Sequence, residues 1–187
     1  MEPGEADLLR REKERLRREI RAAAILPEDY RVWASRRIAE QVLALDAFRK
    51  ARVVMAYASL PEEPDTREMI GEAVRAGKTV LLPRCEGRGR MTALPFTGWE
   101  NLAPGWLGIP EPPEPPEGTE IPDPELILVP CVSASSDGRR LGHGAGFYDR
   151  FLAGRKTETA CLCFRRLMRE DIPVGPADKR MDRVITD

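Results

Sequence analysis

The chain has one histidine, His143, among 187 residues. That excludes a site built on two histidines, and any Ser-His-Asp or Cys-His relay would have to pass through this one ring. The four cysteines, Cys85, Cys131, Cys161 and Cys163, include no Cys-x-x-Cys pair. One histidine cannot complete a Cys/His zinc set at the usual spacing, so buried free thiols in a reducing compartment are expected. No apolar run approaches the ~18 residues of a membrane span. The start, Met1 to Arg21, is charged and lacks the apolar centre of a secretory signal. A cytoplasmic protein with no membrane partner is expected. Excess charge is missing too: 30 Lys+Arg against 31 Asp+Glu leave a net −1. This argues against a globally basic nucleic-acid binder and against an acidic disordered tail. There is no internal repeat, no exposed heptad and no large apolar strip, and a monomer is expected.

What is present suits one domain over 1–187, with 42% hydrophobic residues to fill a core. Asp7 to Ala24 reads as a helix with a thin apolar stripe of Leu9, Leu16, Ile20 and Ala23. Seven Lys/Arg and three Glu lie between Arg10 and Arg21. They read either as a solvated face with pairs such as Glu14–Arg18 or as a cationic face aimed at a phosphate. Lys13 and Arg17, four apart, share one face. Pro27 ends or bends this helix. A second helix is expected over Glu28 to Lys50, with Trp33, Ile38, Val42, Leu45 and Phe48 facing the core.

The period then changes. Val53 to Ala58 reads as a buried strand stopped by Ser59 and Pro61. Asp65, with Glu68 three residues on, predicts a capping box for a helix that runs to Ala76 and stops at Gly77. Thr79 to Leu82 is the next strand, so a right-handed parallel crossover is expected. From Cys85 to Asp123 the chain reads as loop. Seven of the fifteen residues from Pro110 to Pro124 are proline, which predicts a semi-rigid extended strap over 110–124. Glu125 to Val129 reads as a central strand, Phe147 to Leu152 as a helix stopped by Gly154, Thr159 to Phe164 as a strand and Val184 to Thr186 as an edge strand. The alternation predicts an α/β protein, a three-layer α/β/α sandwich with a mostly parallel central sheet, like the fold of sugar-phosphate isomerases and CoA transferases.

The densest chemical signal is Arg139-Arg140-Leu141-Gly142-His143-Gly144-Ala145-Gly146-Phe147-Tyr148-Asp149. It follows a buried strand and precedes a helix, where ligands of open α/β sheets bind. Glycines at alternate positions leave backbone N–H groups uncovered, so the loop can cradle an anion. It equally suits a plain turn. Arg140 adds a fixed charge, and Asp149 offers a hard oxygen to magnesium or serves as a first-turn acid. Tyr148 reads as a core aromatic.

This segment, as Arg140-Leu141-Gly142-x-Gly144-x-Gly146-aromatic-Tyr148-Asp149, resembles the 5-formyltetrahydrofolate cyclo-ligase family. The resemblance extends to Lys13-Glu14-Arg15-Leu16-Arg17, Glu63-Pro64-Asp65-Thr66, Lys78 with Pro83-Arg84, Gly108-Ile109-Pro110-Glu111-Pro112, and Pro173-Val174 with Asp178, Asp182 and Val184. It implies ATP- and magnesium-dependent closure of a reduced folate, 5-formyltetrahydrofolate to 5,10-methenyltetrahydrofolate, with release of ADP and phosphate. It also implies roles: Lys13, Arg17 and the run Arg140, Leu141, Gly142, His143, Gly144, Ala145, Gly146, Phe147 and Tyr148 for ATP, and Asp149 and Asp178 for magnesium. Glu63 and Tyr148 would contact the folate, with Arg140 and Tyr148 as the catalytic residues. The chain departs from the family pattern at Cys85, at Leu107 beside Trp106, and at Ala134 and Ser135, and these departures are expected near the folate. The alternatives are a diverged nucleotide- or RNA-binding relative without cyclo-ligase activity and, by fold analogy alone, sugar-phosphate isomerase chemistry.

Overall fold

The computed structural model describes residues 3–23, 25–87 and 89–187. The expected helix end at Ala24 lies outside the described residues, as do Met1 and Glu2 of the charged start and the side chain of Leu107.

Helix α1, Pro3–Ala23, buries Leu16 and Ile20 on the core, while Leu9 is half-buried and Ala23 exposed, so the apolar stripe is narrower than expected. Its ion pairs join Asp7 to Arg10 and Arg11 and Arg15 to Glu19, in place of the expected Glu14–Arg18. The second helix is broken in two, α2, Glu28–Ala44, and α3, Asp46–Lys50. Leu45 turns to extended backbone at φ −63°, ψ 134°. The bend drops Phe48 into the core, but Trp33, expected there, is 53% exposed and lies against Tyr30.

Strand β1, Val53–Met55, is shorter than the apolar run, since Ala56 to Ala58 stay buried as coil. Thr66 Oγ1 donates to the Tyr57 carbonyl at 2.5 Å. Helix α4, Arg67–Arg75, has no capping box. Asp65 Oδ1 accepts from the Arg67 N–H at 2.9 Å, whereas the Asp65 N–H donates to Ser35 Oγ rather than to Glu68. Gly77 stops the helix at φ 72°.

Strand β2, Thr79–Gly87, runs five residues beyond the expected Leu82 and pairs antiparallel with β3, Arg90–Pro95. A hairpin thus stands where loop was expected. Short β4, Ala103–Pro104, and β5, Pro110–Glu111, pair at the head of the strap. Beyond Glu111 the strap has no regular element up to β6, Leu126–Val129. Every side chain of β6 is buried. The loop after it contains a second small hairpin, β7, Ser133–Ala134, against β8, Arg140–Leu141. Helix α5, Phe147–Leu152, and strands β9, Glu158–Leu162, and β10, Arg183–Ile185, follow.

The six-stranded sheet runs β10-β9-β6-β1-β2-β3, parallel throughout except for β3. It is the mostly parallel sheet expected of an α/β protein. From β1 the chain steps outward to β2, and from β6 it steps outward the other way to β9. The neighbours β1 and β6 therefore form the switch point, and the crevice beyond their carboxyl ends is the default ligand position.

Candidate active site

A cavity of about 820 Å³ opens at that switch point. Its walls come from α1, from the turn after β1, from β2 and β3, and from the segment between Arg140 and Asp149. All fourteen expected site residues, Lys13 and Arg17, Glu63, Arg140 through Asp149, and Asp178, line it.

The α1 wall is cationic. Lys13 Nζ donates to Asp178 Oδ2 at 2.5 Å, and Arg17 Nε to the Gly142 carbonyl at 2.7 Å. These two bonds fasten the helix across the cavity to segments far along the chain. Burial, and then the charge of Arg21, lower the Arg17 guanidinium from its ordinary value, yet it stays a cation at neutral pH.

Opposite lies the glycine loop. Gly144 at φ 110° and Gly146 at φ 70° occupy backbone conformations that L side chains rarely adopt. A side chain at Gly144 would also meet the Arg17 guanidinium, whose carbon lies 3.4 Å from the Cβ position. Among the described residues, the N–H groups of residues 142–146 donate to no protein acceptor. Bare amides facing cations suit an anion. Helix α5 is only six residues long, so its dipole adds less than the expected helix N-terminus would.

Arg140 is held rigidly. Its side chain is 4% exposed, and it donates to Asp149 Oδ1 at 2.9 Å and to the Pro130 carbonyl at 3.3 Å. Its Nε is buried without a partner. The Lys179 N–H donates to the same Asp149 oxygen at 3.3 Å, so the residue that follows Asp178 is fastened to Asp149, and both carboxylates line the cavity. Among the described residues no three His, Cys, Asp or Glu side chains gather as a metal cage. Two carboxylates beside an anion cradle nevertheless fit magnesium, which is commonly held by one or two carboxylates plus phosphate oxygens.

Glu63 and His143 meet across the cavity. His143 Nε2 lies 2.9 Å from Glu63 Oε1, while Glu63 Oε2 accepts the Leu60 N–H at 2.9 Å. The Glu63 side chain is 4% exposed. Burial, and then the Glu63 charge, raise both Tyr57 and Tyr148 above the ordinary phenol value, and both hydroxyls are buried without a partner.

Sequence reasoning missed Tyr57, Trp106 and Glu111, which also line the cavity. Glu111 Oε1 accepts the Trp106 N–H at 3.0 Å, and its carboxylate lies where any side chain at Gly105 would stand. Trp106 meets Phe147 edge-on at 6.1 Å. The signal for this corner lay in the resemblance, which ran through Gly108 to Pro112 and marked Leu107 beside Trp106, but it assigned Trp106 and Glu111 no role. Of the departures from the family pattern, Cys85 lines the cavity, but Ala134 and Ser135 do not. They are fully buried in and just after β7, with Ser133 Oγ donating to the Leu167 carbonyl at 2.5 Å, so they belong to the core and not to the expected substrate wall.

The model of the 5-formyltetrahydrofolate cyclo-ligase family matches residues 9–187. The chain belongs to that family. A 5-formyltetrahydrofolate cyclo-ligase of Mycolicibacterium smegmatis is 34% identical, over 72% of this chain and 73% of the relative. A probable cyclo-ligase of Schizosaccharomyces pombe is 32% identical, over 80% and 81%. The solved 5,10-methenyltetrahydrofolate synthetase of Aquifex aeolicus superposes with a TM-score of 0.80 at 28% identity, over 93% of this chain and 89% of that one.

Proposed function

We propose that this chain closes the ring of 5-formyltetrahydrofolate to 5,10-methenyltetrahydrofolate, with ATP as the second substrate and magnesium as the metal. The observation that carries the reading is the pairing, in one cavity, of a cationic helix face with an uncapped glycine loop. Family membership names the reduced folate, and the cavity volume is at the upper end for a ligand site.

The formyl oxygen is a poor leaving group until it is phosphorylated. In the proposed sequence the γ-phosphoryl passes to that oxygen, and the bond to the β-phosphate breaks. The neighbouring folate nitrogen attacks the activated carbon and loses its proton. Phosphate then departs with the oxygen.

The protein's part is positioning and charge neutralisation. Lys13, Arg17, Arg140 and the amides of residues 142–146 hold the triphosphate, and the free Nε of Arg140 gives it a donor. Asp149 and Asp178 hold magnesium, which supplies further neutralisation of phosphate charge. Glu63 and Tyr148 contact the folate. None of this needs a nucleophilic side chain or a histidine base. The chain acts as one domain and as a monomer. Four cysteines free of disulfides, and the absence of a helix long and apolar enough to cross a membrane among the described residues, support a cytoplasmic setting. Nothing in the net charge calls for a nucleic-acid partner.

The test is absorbance detection of methenyl product with purified protein, ATP, magnesium and 5-formyltetrahydrofolate. Turnover that needs all three is expected. No turnover at micromolar enzyme overturns the reading.

A further inference from the structure

Glu63 is a buried carboxylate with one donor on each oxygen. Leu60 is its own near neighbour in the turn, so that bond holds Glu63 only within its loop. His143 is different. It lies 80 positions away in the chain, on the glycine loop, and its ring is 34% exposed where Glu63 is 4% exposed. The contact is therefore a strut between the two halves of the cavity, the turn after β1 and the anion loop after β8. A carboxylate has room for about four hydrogen bonds. One donor on each oxygen fixes its plane and leaves an acceptor position on each for a ligand. The strut also begins between Gly142, whose carbonyl holds Arg17, and Gly144, whose empty Cβ position faces the same guanidinium. Whatever settles the glycine loop also settles His143.

We propose that His143 is a positioning residue that holds the Glu63 carboxylate for the folate and couples it to the nucleotide loop, so that an occupied loop tightens folate binding. This rests on the reading of Glu63 as a folate contact. The reactive centre does not need the imidazole, which touches neither phosphoryl group nor formyl carbon in this scheme. Its role is passed through Glu63.

The coupling should be legible in binding. In the wild-type protein a non-hydrolysable ATP analogue should lower the Kd for 5-formyltetrahydrofolate by about five-fold or more. In His143→Ala that ratio should fall to about one and the folate KM should rise about ten-fold, with the Kd for the ATP analogue in the absence of folate little changed. His143→Gln, which can still donate to Glu63, should recover most of both. An undiminished ratio in His143→Ala, or a Gln variant no better than Ala, overturns the proposal.

A second measurement separates it from the reading of function. Because the chain has a single histidine, ring-labelled protein gives one imidazole signal with no assignment problem. Glu63→Gln should move that signal, and so should the ATP analogue alone. If the protein proves inactive on folate but both shifts occur, the strut stands and the substrate is wrong. A signal indifferent to Glu63→Gln overturns the strut, whatever the activity.

Discussion

At the residue scale, Arg140 decides more than its neighbours. Its guanidinium is shut away with Asp149 and the Pro130 carbonyl, and one nitrogen has no acceptor. Arg140→Ala removes the proposed charge-assisted phosphate donor and leaves Asp149 Oδ1 with only the Lys179 N–H. The ATP KM should rise about ten-fold or more, and stability should fall by about 1–3 kcal/mol in urea titration. A change in folate saturation alone would refute the assignment of the loop. Tyr148 predicts the opposite pattern. Its hydroxyl is buried and unpaired, so Tyr148→Phe should leave the melting temperature equal or higher while folate turnover drops. A substantial fall in melting temperature would count against this. Cys85 gives the pH dependence. Burial, and then the Glu111 charge, push its thiol up to about 12. Above ~8.5 the unfolded thiol releases its proton while the folded one keeps it, so the unfolded state binds fewer protons. The contribution of Cys85 is whole below ~8.5 and is lost as pH rises toward 12. Melting temperatures measured from pH 8 to 10 should fall more steeply for wild type than for Cys85→Ala. Equal slopes would remove Cys85 from the account.

At the scale of elements, turns control where the site's pieces stand. Gly138 closes the β7–β8 hairpin at φ 86°, with its Cβ position 2.4 Å from the Met181 carbonyl oxygen. The Met181 N–H donates to the Gly138 carbonyl at 2.9 Å, so this turn is docked on the segment that carries Asp178. Gly138→Ala should cost about 1–3 kcal/mol and raise the ATP KM as Asp178 and Lys13 shift. Calorimetry with kinetics would show both, and an unperturbed melt would contradict the turn's role. How far such elements could be read from the chain varied with their punctuation. Helix α5 was legible residue for residue because Gly146 and Gly154 bracket it, both at positive φ. The break at Leu45 was invisible, since no glycine or proline marks it and the bend serves only to bury Phe48. The β2–β3 hairpin carried a signal in Gly87 and Gly89, but polar residues at its exposed end masked the alternation. Trp33 shows the limit of periodicity, which places a residue on a stripe but does not say that another element covers it. The glycine loop was legible as composition. The Glu63–His143 contact was not, because local patterning holds no record of partners 80 positions apart.

At the scale of the molecule, a chain of net charge −1 concentrates cations at one end of its sheet. Ligand binding to such a site stabilises the fold by mass action, by about 2.7 kcal/mol at a hundred times Kd. ATP with magnesium should therefore raise the melting temperature by several degrees. Chelation of the metal, or Asp149→Asn, should cut that rise, and added salt should erode it. No shift at millimolar ATP would argue that the cations serve structure alone. The bond from Lys13 to Asp178 spans 165 positions and clamps the first wall of the cavity to a segment made much later. During synthesis on the ribosome, α1 leaves the exit tunnel long before the residue that receives it. A nascent chain thus carries one wall of the cavity with nothing to close against until translation has passed Asp178.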